Sequence, residues 1–299
     1  MKVVLFCGGL GTRIREYSDS VPKPMIPLGH QPILRHVMQY YSNYGHDEFI
    51  LCLGYKANVI KDFFLNARPQ SFSDCVISDG GRDVRILDEN PKDWRVTLID
   101  TGIWRNIGER LWAVRNFVKG EDIFLANYSD GLSDFPLPRL IEEFKARKAV
   151  GMFLSVRPNY SFHFVRRGPD GRVVSVDDVV KANAWINGGF FVFSNEIFDY
   201  MRPGEELVEE PFQRLIEAGK LFACDYEGFW RCVDTFKDLQ ALENLLARGT
   251  APWEVWRQDE SPAPTMILPP RSDGAATALR ARRKAKKDGR IAPLLSSGH

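Results

Sequence analysis

Short apolar runs alternate with amphipathic stretches through most of the 299-residue chain, and that rhythm limits the possible folds more than any other feature. Residues 2–7 (KVVLFC) form a continuous apolar run, the pattern of a strand covered on both faces. Residues 31–44 then place Ile33, Leu34, Val37, Met38 and Tyr41 at helical spacing. Strand patterns follow at 49–53, 95–99, 122–126 and 150–156, with helical patterns between them at 57–65, 107–118 and 137–148. This β-α-β-α order predicts a mostly parallel sheet with helices on both faces. Ligands in such sheets sit beyond the carboxyl ends of the strands, so chemistry is expected just after each apolar run. Residues 162–176 surround Gly168-Pro169-Asp170-Gly171 and read as a β-hairpin. Further strands are expected at 221–226 and 228–233, then a helix at 237–248 ended by Gly249.

Composition removes several classes. No run reaches the roughly 18 apolar residues of a membrane span, and the apolar stretch before Gly8 is too short for a secretory signal, so no membrane insertion is expected. The five cysteines are scattered without a CxxC pair, which points to a reducing, cytoplasmic setting rather than a disulfide scaffold or zinc ribbon. Forty basic against 39 acidic residues leaves the folded part no excess with which to coat nucleic acid. The near-neutral total hides an asymmetry. Residues 271–290 carry eight Lys/Arg against two Asp, so the remainder of the chain is net −5. Residues 1–256 are therefore expected to form the folded unit. Residues 257–299 read as a Pro/Ala-rich, then basic tail, flexible or partly helical; docking to an acidic partner or a membrane surface is its second reading.

The strongest local signal is Gly8-Gly9-Leu10-Gly11-Thr12-Arg13, directly after the first strand. Glycines there let backbone N–H groups approach a phosphate, although the cluster alone would also suit a tight strand-to-helix turn. It lacks the Gly-Lys-Ser/Thr of a Walker loop and the third glycine of a dinucleotide fingerprint. Pro22-Lys23-Pro24-Met25 follows, with two prolines holding Lys23 on a stiff segment. After the 122–126 strand comes Tyr128-Ser129-Asp130-Gly131, and a carboxylate at that point suits a Mg²⁺ ligand facing nucleotide phosphate. The five histidines show no paired spacing and read as structural or surface residues.

GGLGTR followed by PKPM resembles the opening of the sugar-1-phosphate nucleotidylyltransferases. Residues 23–28 (KPMIPL), 52–56 (CLGYK), 94–102 (WRVTLIDTG), 128–134 (YSDGLSD), 185–191 (WINGGFF) and 228–235 (GFWRCVDT) make the chain most similar to the glucose-1-phosphate cytidylyltransferase branch, as far as residue 253. The resemblance implies a nucleotidyltransferase-type α/β domain with a small sugar-binding β lobe, and transfer of a nucleotidyl group from an NTP, CTP first, to a sugar 1-phosphate, glucose 1-phosphate first. It implies that Asp130 and Asp234 hold Mg²⁺ and that the Gly8, Gly9, Gly11 and Thr12 backbone holds the triphosphate. Arg13 would neutralise the leaving pyrophosphate, and Lys23 would lie between the α-phosphate and the attacking phosphate. Asn187 and Gly188 would meet the sugar, while Tyr55, Lys56 and Arg110 are weaker candidates for base and ribose. Homo-oligomers are expected by the same analogy.

Two departures stand out. Where the family carries Glu-Lys-Pro before WINGG, residues 174–180 here hold two acids and no lysine. Lys181, from a shifted loop, or Arg166 or Arg167 is expected to meet the acceptor phosphate instead. Glu109 stands where the branch has glycine and is expected to point to solvent. These departures keep open UTP, dTTP or a different phosphorylated acceptor, and, in another class, a nucleotide-binding regulatory protein with little activity.

Overall fold

The computed structural model describes residues 1–11, 21–66, 75–87, 93–158, 163–178 and 184–257. Thr12, Arg13, Lys181 and the basic tail lie outside the described residues. β1 (Lys2–Phe6) is followed, after a 3-10 turn at Lys23–Met25, by the short ladder of β2 (Pro27–Leu28) and β3 (Gln31–Pro32) and by α1 (Ile33–Asn43). Next come β4 (Glu48–Leu53), α2 (Ala57–Asn66) and a hairpin of β5 (Cys75–Ser78) and β6 (Asp83–Ile86). β7 (Arg95–Asp100), α3 (Ile107–Val118), β8 (Ile123–Tyr128), β9 (Gly131–Ser133), α4 (Leu137–Arg147) and β10 (Gly151–Val156) continue the alternation. The remainder comprises the β11 (His163–Arg167)–β12 (Val173–Asp178) hairpin, β13 (Ile186–Asn187), β14 (Phe191–Ser194), α5 (Glu210–Glu217), β15 (Leu221–Tyr226), β16 (Trp230–Cys232) and α6 (Phe236–Ala247).

The central sheet runs β15-β10-β14-β8-β1-β4-β7, with β13 in line with β14 along the same edge of β10. β1 pairs in parallel with both β4 and β8, β4 with β7, and β10 with β15. β14 runs against its neighbours β8 and β10, and the two-residue β13 likewise runs against β10. Alternation along β1 explains the two covering layers. Val3 and Leu5 share a core with Ile33 of α1, Ile60 of α2, Leu140 of α4 and Leu242 of α6. Val4 and Phe6 point the other way, into a core with Leu111 and Val114 of α3 and Phe212 and Leu215 of α5. The mixed, mostly parallel α/β fold expected from the rhythm is thus present.

The structure differs from the expectation in several places. The strand expected at 122–126 runs two residues further, to Tyr128, and so reaches the turn bearing Asp130. The 228–233 strand shortens to β16 and leaves the central sheet, pairing with β9 through Trp230↔Ser133, Arg231↔Leu132 and Cys232↔Gly131. The β5–β6 hairpin carries short patterns that periodicity does not separate from loop, whereas α5 is a further helix that buries Phe212 and Leu215 at helical spacing. β14 is reversed because no crossover helix precedes it. Between β13 and β14 only Gly188-Gly189-Phe190 intervenes, with positive φ at Gly189 (76°) and Phe190 (52°), so the chain continues antiparallel beside β10. His36 is structural: it is buried against Trp253 and the Leu28 carbonyl, and burial lowers its pKa to about 4.

Candidate active site

β1 has its two partners β4 and β8 on opposite sides, so the crevice past its carboxyl end is the switch point of the sheet. A cleft of about 310 Å³ opens there, lined by Phe6, Gly9, Gly11, Lys23, Pro24, Ile107, Tyr128, Ser129, Asp130 and Asp234. That volume is at the lower end of the range for small-molecule sites. Gly11 takes φ 64°, a conformation open to glycine but strained for other residues. Cys7, just before the cluster, is no nucleophile: burial pushes its thiol up to about 12.

Lys23 sits on the 3-10 turn between Pro22 and Pro24, as the sequence suggested. Its Nζ lies 2.5 Å from Asp130 Oδ2 and 2.7 Å from Asp234 Oδ1. Burial works against the ammonium, but the two carboxylates outweigh it and hold its pKa above the usual lysine value. The two aspartates are 104 positions apart and meet because β9 and β16 pair, which also brings the Val233 N–H to the Asp130 carbonyl at 3.1 Å. Asp234 itself immediately precedes Thr235, the N-cap of α6.

The acceptor-side candidates gather next to this pair. The Gly188 carbonyl accepts from Trp230 Nε1 at 2.8 Å, and a side chain built at Gly131 would lie about 4 Å from the same oxygen. Asn187 Oδ1 accepts from Gly189 N at 2.9 Å, and its side chain also bonds Tyr128. Gly189 has room for nothing larger, because a Cβ there would come 2.6 Å from Asn127 Oδ1. Tyr55 and Lys56 occupy the loop after β4, with Lys56 Nζ 5.4 Å from the Tyr55 ring centre.

Arg110 is placed differently from the expectation of a base or ribose contact. It is 2% exposed, and its guanidinium turns inward to five oxygens. Nη1 donates to the Leu53 carbonyl, Thr101 Oγ1 and the Gly102 carbonyl at 3.0, 2.7 and 2.9 Å. Nη2 donates to the Gly8 carbonyl at 2.9 Å and the Ile103 carbonyl at 3.2 Å. One side chain therefore ties together the loops leaving β1, β4 and β7.

Glu109 does not simply point to solvent. Its carboxylate folds back to accept from Asn106 N at 3.1 Å, while Asn106 Oδ1 accepts from Glu109 N at 2.8 Å, a reciprocal cap on α3. The Asn-x-x-Glu spacing carried this signal in the sequence. Changing Glu109 to glycine is expected to cost about 1 kcal/mol of stability, read by urea unfolding, with the nucleotide KM unchanged within about twofold. A large KM shift with no stability loss would reverse the assignment. Of the expected phosphate-binding cations, Arg166 is exposed and pairs with Asp177 at 3.0 Å, and Arg167 is also exposed.

The sequence profile of the nucleotidyl transferase family matches residues 2–249. The chain is 36% identical over 258 residues to the glucose-1-phosphate cytidylyltransferase of Salmonella typhimurium strain LT2, covering 86% of this chain and all of that protein. It is 23% identical over 256 residues to the mannose-1-phosphate guanyltransferase of Saccharomyces cerevisiae, covering 80% of this chain and 62% of that one. Among solved structures, HddC from Yersinia pseudotuberculosis superposes with a TM-score of 0.57 at 20% identity, over 82% of this chain and 99% of that one, a likeness of fold. With glycine turn, lysine and paired aspartates gathered at one crevice, and the profile matched over 248 of 299 residues, this chain is an enzyme of the nucleotidyl transferase family.

Proposed function

We propose that the protein transfers a cytidylyl group from CTP to a sugar 1-phosphate, glucose 1-phosphate first, and releases pyrophosphate. The observation that carries the reading is Lys23, held between Asp130 and Asp234 in the cleft at the end of β1. The choice of CTP and glucose 1-phosphate rests on the 36% identity to the Salmonella cytidylyltransferase. The acceptor's phosphate oxygen attacks the α-phosphorus, a new P–O bond forms, and the bond to the β-phosphate oxygen breaks with its electron pair leaving on pyrophosphate. The nucleophile is already anionic near neutral pH, so no protein base is required.

The chain's own contribution is then positioning and charge neutralisation. The open backbone at Gly9 and Gly11 lines the cleft and admits the triphosphate without side-chain obstruction. Lys23 is charged throughout the neutral range and meets the α-phosphate. Arg13 is assigned to the leaving pyrophosphate. Asp130 and Asp234 converge on one cationic centre with oxygen donors only, which suits Mg²⁺: that ion takes one or two carboxylates and completes its shell with water and substrate phosphates. When bound, Mg²⁺ supplies Lewis-acid neutralisation of the phosphate charge.

The test is pyrophosphate release across CTP, UTP, dTTP, GTP and ATP against several sugar 1-phosphates with Mg²⁺, with Asp130→Asn as the blank. Release confined to CTP with glucose 1-phosphate supports the full reading. Release with another pair keeps the chemistry and moves the substrate. Nucleotide binding without turnover for any pair overturns the catalytic reading and leaves a nucleotide-binding regulator.

A further inference from the structure

The orientation of the Asn187 amide fixes what the tyrosine beside it can do. Asn187 Oδ1 accepts from Gly189 N at 2.9 Å, so Nδ2 is the half of the amide left to donate. Its partner is the Tyr128 hydroxyl. A phenol oxygen that receives an N–H keeps its own proton for a second partner. Burial, with the nearby Glu206 and Asp130 charges, pushes the Tyr128 pKa up, so that proton stays on at neutral pH. Glu206 acts on it through charge; its oxygens accept from Leu207 N at 2.9 Å and Ile107 N at 3.3 Å. Among the described residues the hydroxyl has no hydrogen-bond partner besides Asn187, and its proton is left to donate.

The ring carries that proton to the cleft. Tyr128 is the register partner of Phe6, and their ring centres are 6.3 Å apart. Phe191 meets the ring edge-on at 5.4 Å, which holds it in one plane. Phe6, Ile107 and Tyr128 pack on the same core layer, and all three line the cleft with Asp130. The Gly189 backbone lies against the ring, since a Cβ there would come 3.1 Å from Tyr128 Cδ2. The hydroxyl therefore reaches Asn187, on the acceptor side, from a cleft wall that ends in Asp130. The charges it feels there are both negative, which suits a neutral hydroxyl better than a phosphate. We propose that the Tyr128 hydroxyl binds the acceptor directly, donating a hydrogen bond to one hydroxyl of the sugar and so selecting which sugar is used. This rests on the reaction proposed above.

The experiment compares wild type with Tyr128→Phe, which keeps the ring and its packing and removes only the hydroxyl. KM is measured for CTP, for glucose 1-phosphate and for a set of deoxy analogues of glucose 1-phosphate, each missing one hydroxyl, with Kd values by calorimetry. Tyr128→Phe is expected to raise the glucose 1-phosphate KM and Kd by roughly 5–20-fold, with the CTP KM unchanged within about twofold. For one deoxy analogue the two proteins should bind alike, because the group that Tyr128 meets is already gone. An unchanged glucose 1-phosphate KM and Kd, the same loss on every analogue, or a loss confined to CTP overturns the assignment while leaving the reaction intact. A silent wild type defeats the reaction itself. In that case the calorimetric Kd values decide alone: a weakening in Tyr128→Phe that vanishes for one analogue supports the contact, and equal affinity or no binding overturns it.

Discussion

Changing Lys23 to methionine is expected to lower turnover by roughly 10²–10³-fold, the largest effect of any single substitution among the described residues of the cleft. Methionine keeps most of the length and packing of the side chain and removes only the charge. In the wild type that charge sits 2.5 Å from Asp130 and 2.7 Å from Asp234 on a turn stiffened by Pro22 and Pro24. Without it, no other described residue lining the cleft carries a positive charge, and the two carboxylates face each other. A second readout separates this from simple misfolding. The variant should melt below wild type in metal-free buffer and regain more stability than wild type when Mg²⁺ is added, because its carboxylates no longer have an internal cation. Turnover within about threefold of wild type, or no difference in the Mg²⁺ response, would remove Lys23 from its assigned place.

Arg110→Met is expected to destabilise the protein by roughly 3–5 kcal/mol, because each buried acceptor left unpaired costs about 1–3 kcal/mol and only some find other donors. The Leu53 carbonyl, for example, still accepts from Thr101 N at 3.0 Å, whereas the Gly8 carbonyl keeps only the weaker 3.3 Å bond from Tyr55 N. Among the described residues no carboxylate pairs with the guanidinium, and burial lowers its pKa while leaving it charged at neutral pH. It is held by four carbonyl dipoles and the Thr101 hydroxyl. Activity should fall with stability, since the Gly8 carbonyl belongs to the turn that lines the cleft. Gly8→Ala is expected to copy the defect from the opposite direction, because a Cβ there would lie 2.0 Å from Arg110 Nη1. Urea unfolding checks both. An Arg110→Met variant as stable as wild type but with a raised nucleotide KM would return Arg110 to direct contact with base or ribose.

The distribution of legible and illegible features follows range. The helix at 107–118 matches its periodicity because one buried stripe, Leu111, Val114 and Val118, determines it locally. Gly11 and the Pro-Lys-Pro turn were readable for the same reason: φ > 0 and fixed φ are properties of single residues. The inward turn of Arg110 was not readable, because its acceptors lie on three loops that adjoin only once β1, β4 and β7 have paired.

By itself, the sequence determined that alternating strands and helices would bury a two-faced parallel sheet, and that a glycine turn and a fixed lysine would follow the first strand. Those are consequences of local geometry and apolar patterning. Only the tertiary structure decided that Asp130 and Asp234 meet at Lys23, that β14 runs against the sheet, and that Arg110 turns inward to the Gly8 carbonyl. Each depends on strand register between distant segments, which shifts every side chain to the opposite face for a one-residue slip and is set by the packed core as a whole.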